Sequence, residues 1–276
     1  MDVGLQLLPW WFYWGSAVAS SDQIYIIGGL DYNYKDRGNT AYFQAFDGTN
    51  FIKTLGNLPY AFYSGGALYY NNAIHIFGGD SYGGNTTAHY KYQNSAWTKI
   101  STIPTNFTHS TVVVWKDKFY LFVGTKMYIY SPTTYSWTES SITTPYSVSH
   151  SGVVIYNNEV HLLGGSGSAS KHYKFNGSSW SEVSTIPYNF AYGCSVIYNN
   201  EIHILGGDSL GTNHYKWNGS SWSSVGTLPY GVNQGCAVVF KDELYTLGGN
   251  IKDPRTNLYD SLRYFYKIGI SCYTKV

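Results

Sequence analysis

The sequence predicts an all-β protein built from six copies of one four-stranded unit, and three observations carry that prediction. The composition is rich in residues that suit pleated, half-buried surfaces, with 29 Tyr, 13 Phe and 9 Trp in 276 residues and 30 Gly to supply turns. A Leu-Pro, Ile-Pro or similar step recurs at Pro9, Pro59, Pro104, Pro145, Pro187 and Pro229, spaced 41 to 50 residues apart, and a period of that length signals a repeat architecture. A Gly-Gly pair then follows in constant register. Its first glycine falls 19 residues after the proline at Gly28, Gly78, Gly164, Gly206 and Gly248, and the third copy has Val123-Gly124 there.

Within each copy the strands can be read in order. Small residues (Gly15-Ser16, Gly65-Gly66, Gly193-Cys194, Gly235-Cys236) lead into an apolar first strand such as Val153-Val154-Ile155-Tyr156. Asn-Asn at 71–72, 157–158 and 199–200, or Lys-Asp at 116–117 and 241–242, predicts a two-residue hairpin with a left-handed backbone. The second strand, of the Ile-His-Ile-Phe type, ends at Gly-Gly. The third is Tyr90-Lys91-Tyr92, Tyr173-Lys174-Phe175 or Tyr215-Lys216-Trp217, and five residues later Trp97, Trp180 and Trp222 open the fourth.

This order of apolar strand, strand ending in Gly-Gly, aromatic and spaced Trp resembles the kelch repeat over essentially all 276 residues. The resemblance implies a six-bladed β-propeller with four antiparallel strands per blade, in a single domain. The blades are expected at about 8–57, 58–102, 103–143, 144–185, 186–227 and 228–276, with 1–7 as a closure segment or extra strand. Two closures are open. Residues 266–276 align without gaps to 173–183, with Tyr273 at the Trp position, which favours an outer strand of blade six made by the C-terminus; residues 1–7 are the alternative source. The longest excursions, 30–40 in blade one and 250–260 in blade six, are expected to meet as a raised lip. The wording Tyr-Asn-Asn-Glu-Ile-His-Ile-Leu-Gly-Gly and Asn-Gly-Ser-Ser-Trp is similar to kelch proteins of bacteriophages and gut bacteria.

In such propellers partners meet the face built by the loops between blades and the loops after Gly-Gly. The register places Trp14, Ser64, His109, His150, Tyr192 and Gln234, five residues after each proline, around the channel mouth. Tyr13, Tyr63, Thr108, Ser149, Ala191 and Asn233 stand one residue earlier, with Tyr13, Tyr63 and Asn233 the further binding candidates. None of the six mouth positions is Arg or Lys, which disfavours a grip on acidic peptides by guanidinium groups. Aromatic plates with amide and hydroxyl neighbours suit a sugar ring or a neutral protein epitope. The leading expectation is therefore a non-catalytic recognition module for a glycan or protein surface. The tyrosines one residue after the prolines (Tyr60, Tyr146, Tyr188, Tyr230) either join that face or pack between blades.

The resemblance also brings a catalytic alternative, because some six-bladed kelch proteins are sialic-acid mutarotases. His109 and His150 converge at the mouth, and Asp80 and Asp208, with Asp31 and Asp253, follow Gly-Gly; together they are candidates for general acid-base chemistry. An anionic sugar would call for a basic clamp, for which only Lys126, Lys252 and Arg255 are placed. An Asp after Gly-Gly is also a turn former through its own side chain. A purely architectural subunit is the third reading.

Neither a metal nor another cofactor is expected. His75, His161 and His203 interchange in register with Tyr25, Tyr120 and Tyr245, which suggests a structural hydrogen bond, while His89, His172 and His214 fall a blade apart. Cys194 and Cys236 occupy equivalent packing positions and Cys272 is distant, a spacing that suits no disulfide framework, zinc site or crosslinked copper site. Seventeen basic against 16 acidic side chains leave no nucleic-acid footprint, and no apolar run reaches the length of a membrane span. Met1-Asp2 opens without a basic leader region, so a cytoplasmic protein, or a part of a virion or surface assembly, is expected.

Overall fold

In a computed structural model that describes residues 5–8, 10, 12–30, 41–79, 86–208, 211–252, 259–261 and 264–269, every regular element is a β-strand. Six four-stranded antiparallel sheets form the blades of a six-bladed β-propeller. Blade four is representative, running outward from Gly152–Tyr156 through Glu159–Leu163 and Lys171–Phe175 to Trp180–Thr185. The first strands of the other blades are Ser16–Ala19, Gly66–Tyr70, Thr111–Trp115, Cys194–Tyr198 and Cys236–Phe240. The hairpins that leave them turn as the sequence predicts. Asn157 and Asn158 have φ of 48° and 59°, and the Asn-Asn and Lys-Asp pairs of blades two, three, five and six repeat those values closely, the signature of a type I′ turn.

The hydrophobic interior is divided into six wedges, one at each junction between neighbouring blades. The residue three places after each proline (Phe12, Phe62, Phe107, Val148, Phe190 or Val232) is essentially inaccessible, and it explains the Gly-Gly pair. The N–H of the second glycine donates to the carbonyl of that residue in the next blade, at 2.9 Å for Gly29 to Phe62, 2.7 Å for Gly79 to Phe107, 2.8 Å for Gly165 to Phe190 and 2.7 Å for Gly249 to Phe12. The first glycine lies so close to the same carbonyl that a β-carbon does not fit: on Gly164 it would sit 2.1 Å from the Phe190 oxygen. Both glycines also have positive φ.

The ring closes differently from the favoured expectation. The outer edge of blade six is taken by Leu5–Leu7, which pairs antiparallel with Tyr264–Ile268 (Leu5 opposite Tyr266, Gln6 opposite Phe265, Leu7 opposite Tyr264). The gapless alignment of 266–276 to blade four places the third strand correctly, and the residues in which it put the fourth, after 269, lie outside the described residues. Tyr273 lies outside the described residues. The N-terminal segment is held there by Leu8, fully buried in the wedge between blades six and one, and by Trp10, which stacks on Tyr42 at 4.6 Å. Of the proposed lip, blade six contributes a small ribbon in which Asn250–Lys252 pairs with Tyr259–Ser261, while residues 31–40 of blade one lie outside the described residues.

Candidate functional site

The six mouth residues are equivalent in geometry as well as in register. Trp14, Ser64, His109, His150, Tyr192 and Gln234 all adopt left-handed backbone conformations, with φ between 50° and 67°. Each donates its N–H to the carbonyl of the matching residue in the preceding blade, at 2.7 to 3.0 Å, and Trp14 donates to Gln234. The result is a closed circle of six hydrogen bonds around the axis. Six non-glycine residues in this region of φ carry strain of roughly 1 kcal/mol each, which the ring offsets by satisfying every amide it contains.

Above that circle the side chains form an aromatic arc. Because Ser64 is small, the Trp14 ring reaches His109 two blades away, edge-on at 5.2 Å; His109 lies 4.7 Å from His150, and His150 lies 4.0 Å from Tyr192. Tyr192 is one of the few large hydrophobic side chains left exposed, at 38%. Burial, with a smaller contribution from His109, holds the His150 imidazole neutral down to about pH 4. Its Nδ1 is within hydrogen-bond reach of Ser149 Oγ at 2.9 Å and Ser166 Oγ at 3.3 Å, and Ser166 in turn donates to the Tyr192 hydroxyl at 3.4 Å. Trp14 Nε1 and Ser64 Oγ are shielded polar atoms with no hydrogen-bond partner.

The other sequence candidates divide between support and scaffold. Tyr13 and Tyr63 are buried behind Trp14, with ring centroids 5.2 and 6.4 Å from it, so they brace the plate rather than face the mouth. The Asn233 amide is engaged within the chain, accepting from Gly207 N–H at 2.7 Å and donating to the Asp208 carbonyl. Gln234 Oε1 accepts from Asn250 Nδ2 at 2.6 Å. Asp208 accepts from Asn213 Nδ2 at 3.0 Å, a loop-forming contact within its own blade. Asp80 lies outside the described residues. The tyrosines after the prolines pack inward: Tyr60 and Tyr188 donate to the carbonyls of Gly78 and Gly206 at 2.7 Å, and Tyr230 bonds Thr246.

Ser149, in the register one residue before the mouth, reaches His150 as that register implied, while Ser166 and Asn250 belong to the site and escaped the sequence reading. Ser166 and Asn250 follow Gly-Gly in the same register as Asp80 and Asp208, so the signal was present at a residue type that carries less chemical emphasis. Among the described residues, no three His, Cys, Asp or Glu side chains gather as a metal would need. Burial raises both the Cys194 and Cys236 thiols, and Cys236 Sγ donates to the Gly15 carbonyl, which fits packing residues.

No protein-family model matches the sequence, and no curated protein matches it. Among solved structures, the one titled "Structure of YjhT" superposes with a TM-score of 0.75 over 92% of this chain and 95% of its own, at 16% identity. That likeness is one of fold.

Proposed function

We propose that this chain is a kelch-type propeller whose channel mouth is a carbohydrate-recognition face, working without turnover, in the setting of a phage particle or bacterial surface assembly. The observation that carries this reading is the arc from Trp14 through His109 and His150 to Tyr192, held rigid from below by the hydrogen-bonded circle. A rigid aromatic surface gives apolar contact at little entropic cost, and sugar C–H faces stack on it while hydroxyls engage neighbours such as Ser149, Ser166 and the partnerless Ser64 Oγ and Trp14 Nε1. No charged side chain stands in the circle, so a neutral sugar fits better than an anionic one.

The test is a glycan array probed with wild-type protein and with Tyr192→Ala. Binding lost in a variant that melts as the wild type does supports the reading. A blank array with folded protein rejects it and favours a neutral protein epitope on the same face.

A second reading, sugar mutarotation, rests on His150 and His109. An imidazole kept neutral at pH 7, beside a second one and within reach of two serine hydroxyls, is equipped to take and return a proton at a sugar hydroxyl or ring oxygen. Exchange of anomers measured by NMR, with His150→Ala and His109→Ala, decides it. Rates equal to those in buffer eliminate catalysis.

A further inference from the structure

On the opposite end of the blades from the mouth, a cleft of about 200 Å³ opens between blades two and three, lined in part by Tyr70, Asn71, Ala73, Lys91, Tyr130 and Tyr135. Its features become clear by comparison with the other blades. In blades four, five and six, a lysine of the third strand is paired with the glutamate that opens the second: Lys174 to Glu159 at 2.8 Å, Lys216 to Glu201 at 2.8 Å, and Lys267 to Glu243 at 3.1 Å. Lys91 stands in that same register, opposite His75 as Lys174 stands opposite His161. The glutamate position, however, is Ala73. Lys91 is thus a cation without the carboxylate that its three counterparts hold, and no Asp or Glu is among the residues lining the cleft.

A second, independent observation points the same way. Tyr130 is only 1% exposed, and its hydroxyl is shielded from solvent with no hydrogen-bond partner although the residue lines the cleft. An unpaired buried hydroxyl costs about 1–3 kcal/mol, so a group that satisfies it is favoured there. Burial, with the nearby Tyr135 adding to it, raises this phenol to about 12, so it remains a donor at any physiological pH. Tyr135, 64% exposed and left-handed at φ 55°, presents its ring at the rim. Tyr70 is fixed by donating to Asp117 Oδ1 at 3.4 Å.

We infer that this cleft binds a small organic carboxylate, its charge received by Lys91 and the Tyr130 hydroxyl and its apolar body laid against Tyr135 and Tyr70. The ligand replaces, from outside, the glutamate that the other blades supply from within. Charge-assisted bonds from an ammonium and a phenol account for preference over an uncharged analogue.

The test uses benzoate and cyclohexanecarboxylate as probes, with benzamide and cyclohexanecarboxamide as uncharged counterparts, titrated into the whole protein and followed by NMR. At least one carboxylate is expected to bind saturably, and its uncharged counterpart to bind tenfold or more weakly. Lys91→Met is expected to weaken the carboxylate by tenfold or more. Ala73→Glu installs the internal partner that blades four to six carry; it is expected to abolish binding while melting at or above the wild-type temperature, which separates occupancy of the cleft from misfolding. Failure of both carboxylates to bind wild type, or wild-type affinity in either cleft variant, overturns the proposal.

Discussion

At Gly164 a methyl group would stand 2.1 Å from the Phe190 carbonyl oxygen in a backbone that already has φ of 54°. Gly164→Ala is therefore expected to destabilise the protein by roughly 2–5 kcal/mol, combining left-handed strain with a main-chain clash that no rotamer relieves. Urea unfolding checks this, and an effect below 1 kcal/mol would show that the blade junction is softer than its geometry. Gly167, also at positive φ, has nothing within 4 Å of where a β-carbon would sit, so Gly167→Ala should show only the smaller conformational cost. At the mouth the balance differs, because the Tyr192 ring is partly exposed and its structural duty is carried by main-chain bonds to His150 and Gln234. Tyr192→Ala should accordingly remove ligand binding with little change in melting temperature.

Between neighbouring blades, the repeated histidines form a chain of bonds that a list of registers does not reveal. In blade four His161 Nδ1 meets His172 Nε2 at 2.7 Å, His172 Nδ1 meets Ser184 Oγ at 3.1 Å, and Ser184 accepts from Trp222 Nε1 of the next blade at 3.0 Å. Blade two repeats it with His75, His89, Ser101 and Trp137 of blade three. Where Phe43 or Met127 replaces the third-strand histidine, Trp97 and Trp180 of the following blades leave Nε1 without a partner. Trp222→Phe keeps a ring but removes the donor, so it should cost about 1 kcal/mol, and a double-mutant cycle with Ser184→Ala should show coupling between the two. A cycle with no coupling would mean the bond is geometric only.

These chains also set a pH dependence. Burial, the largest cause throughout, lowers His75, His161 and His203 to about 4, His172 and His214 to about 3, and His89 to about 2. In the unfolded chain these imidazoles titrate near 6.5, so below that pH the unfolded state binds protons that the folded state refuses. Stability is therefore full above about pH 6.5 and falls as pH drops from 6.5 toward 4, by about 1.4 kcal/mol per pH unit for each proton taken up. Melting temperatures at pH 7.5, 6 and 5 should decline progressively, and replacing His161 and His172 together by Phe and Leu should flatten the decline. A curve flat to pH 4.5 in the wild type would contradict the neutral pairs.

For the molecule as a whole, closure joins the two ends of the chain in blade six, and the same junction is sealed by Gly249 bonding Phe12 and by Trp14 bonding Gln234. Removal of residues 1–7 strips the outer strand from that blade and exposes the edge of Tyr264–Ile268. The truncated protein is expected to melt several degrees lower, and a melting temperature equal to the full chain would show that another segment takes the edge.

The sequence by itself determined the all-β class, the count of six repeats, the type I′ turns at the Asn-Asn and Lys-Asp pairs, and the common register of the six residues whose amides close the circle. Each of these is a local property repeated at a fixed spacing, and a repeat writes its register directly into the chain. Only the tertiary structure decided that Leu5–Leu7 lines the edge of Tyr264–Ile268, because that pairing depends on contacts between segments more than 250 residues apart in sequence. The same reason covers the pairing of His161 with His172, the burial of Tyr13 and Tyr63 behind Trp14, and the use of Asn233 as a loop pin: each is a contact across strands or blades, set by how one repeat packs upon the next.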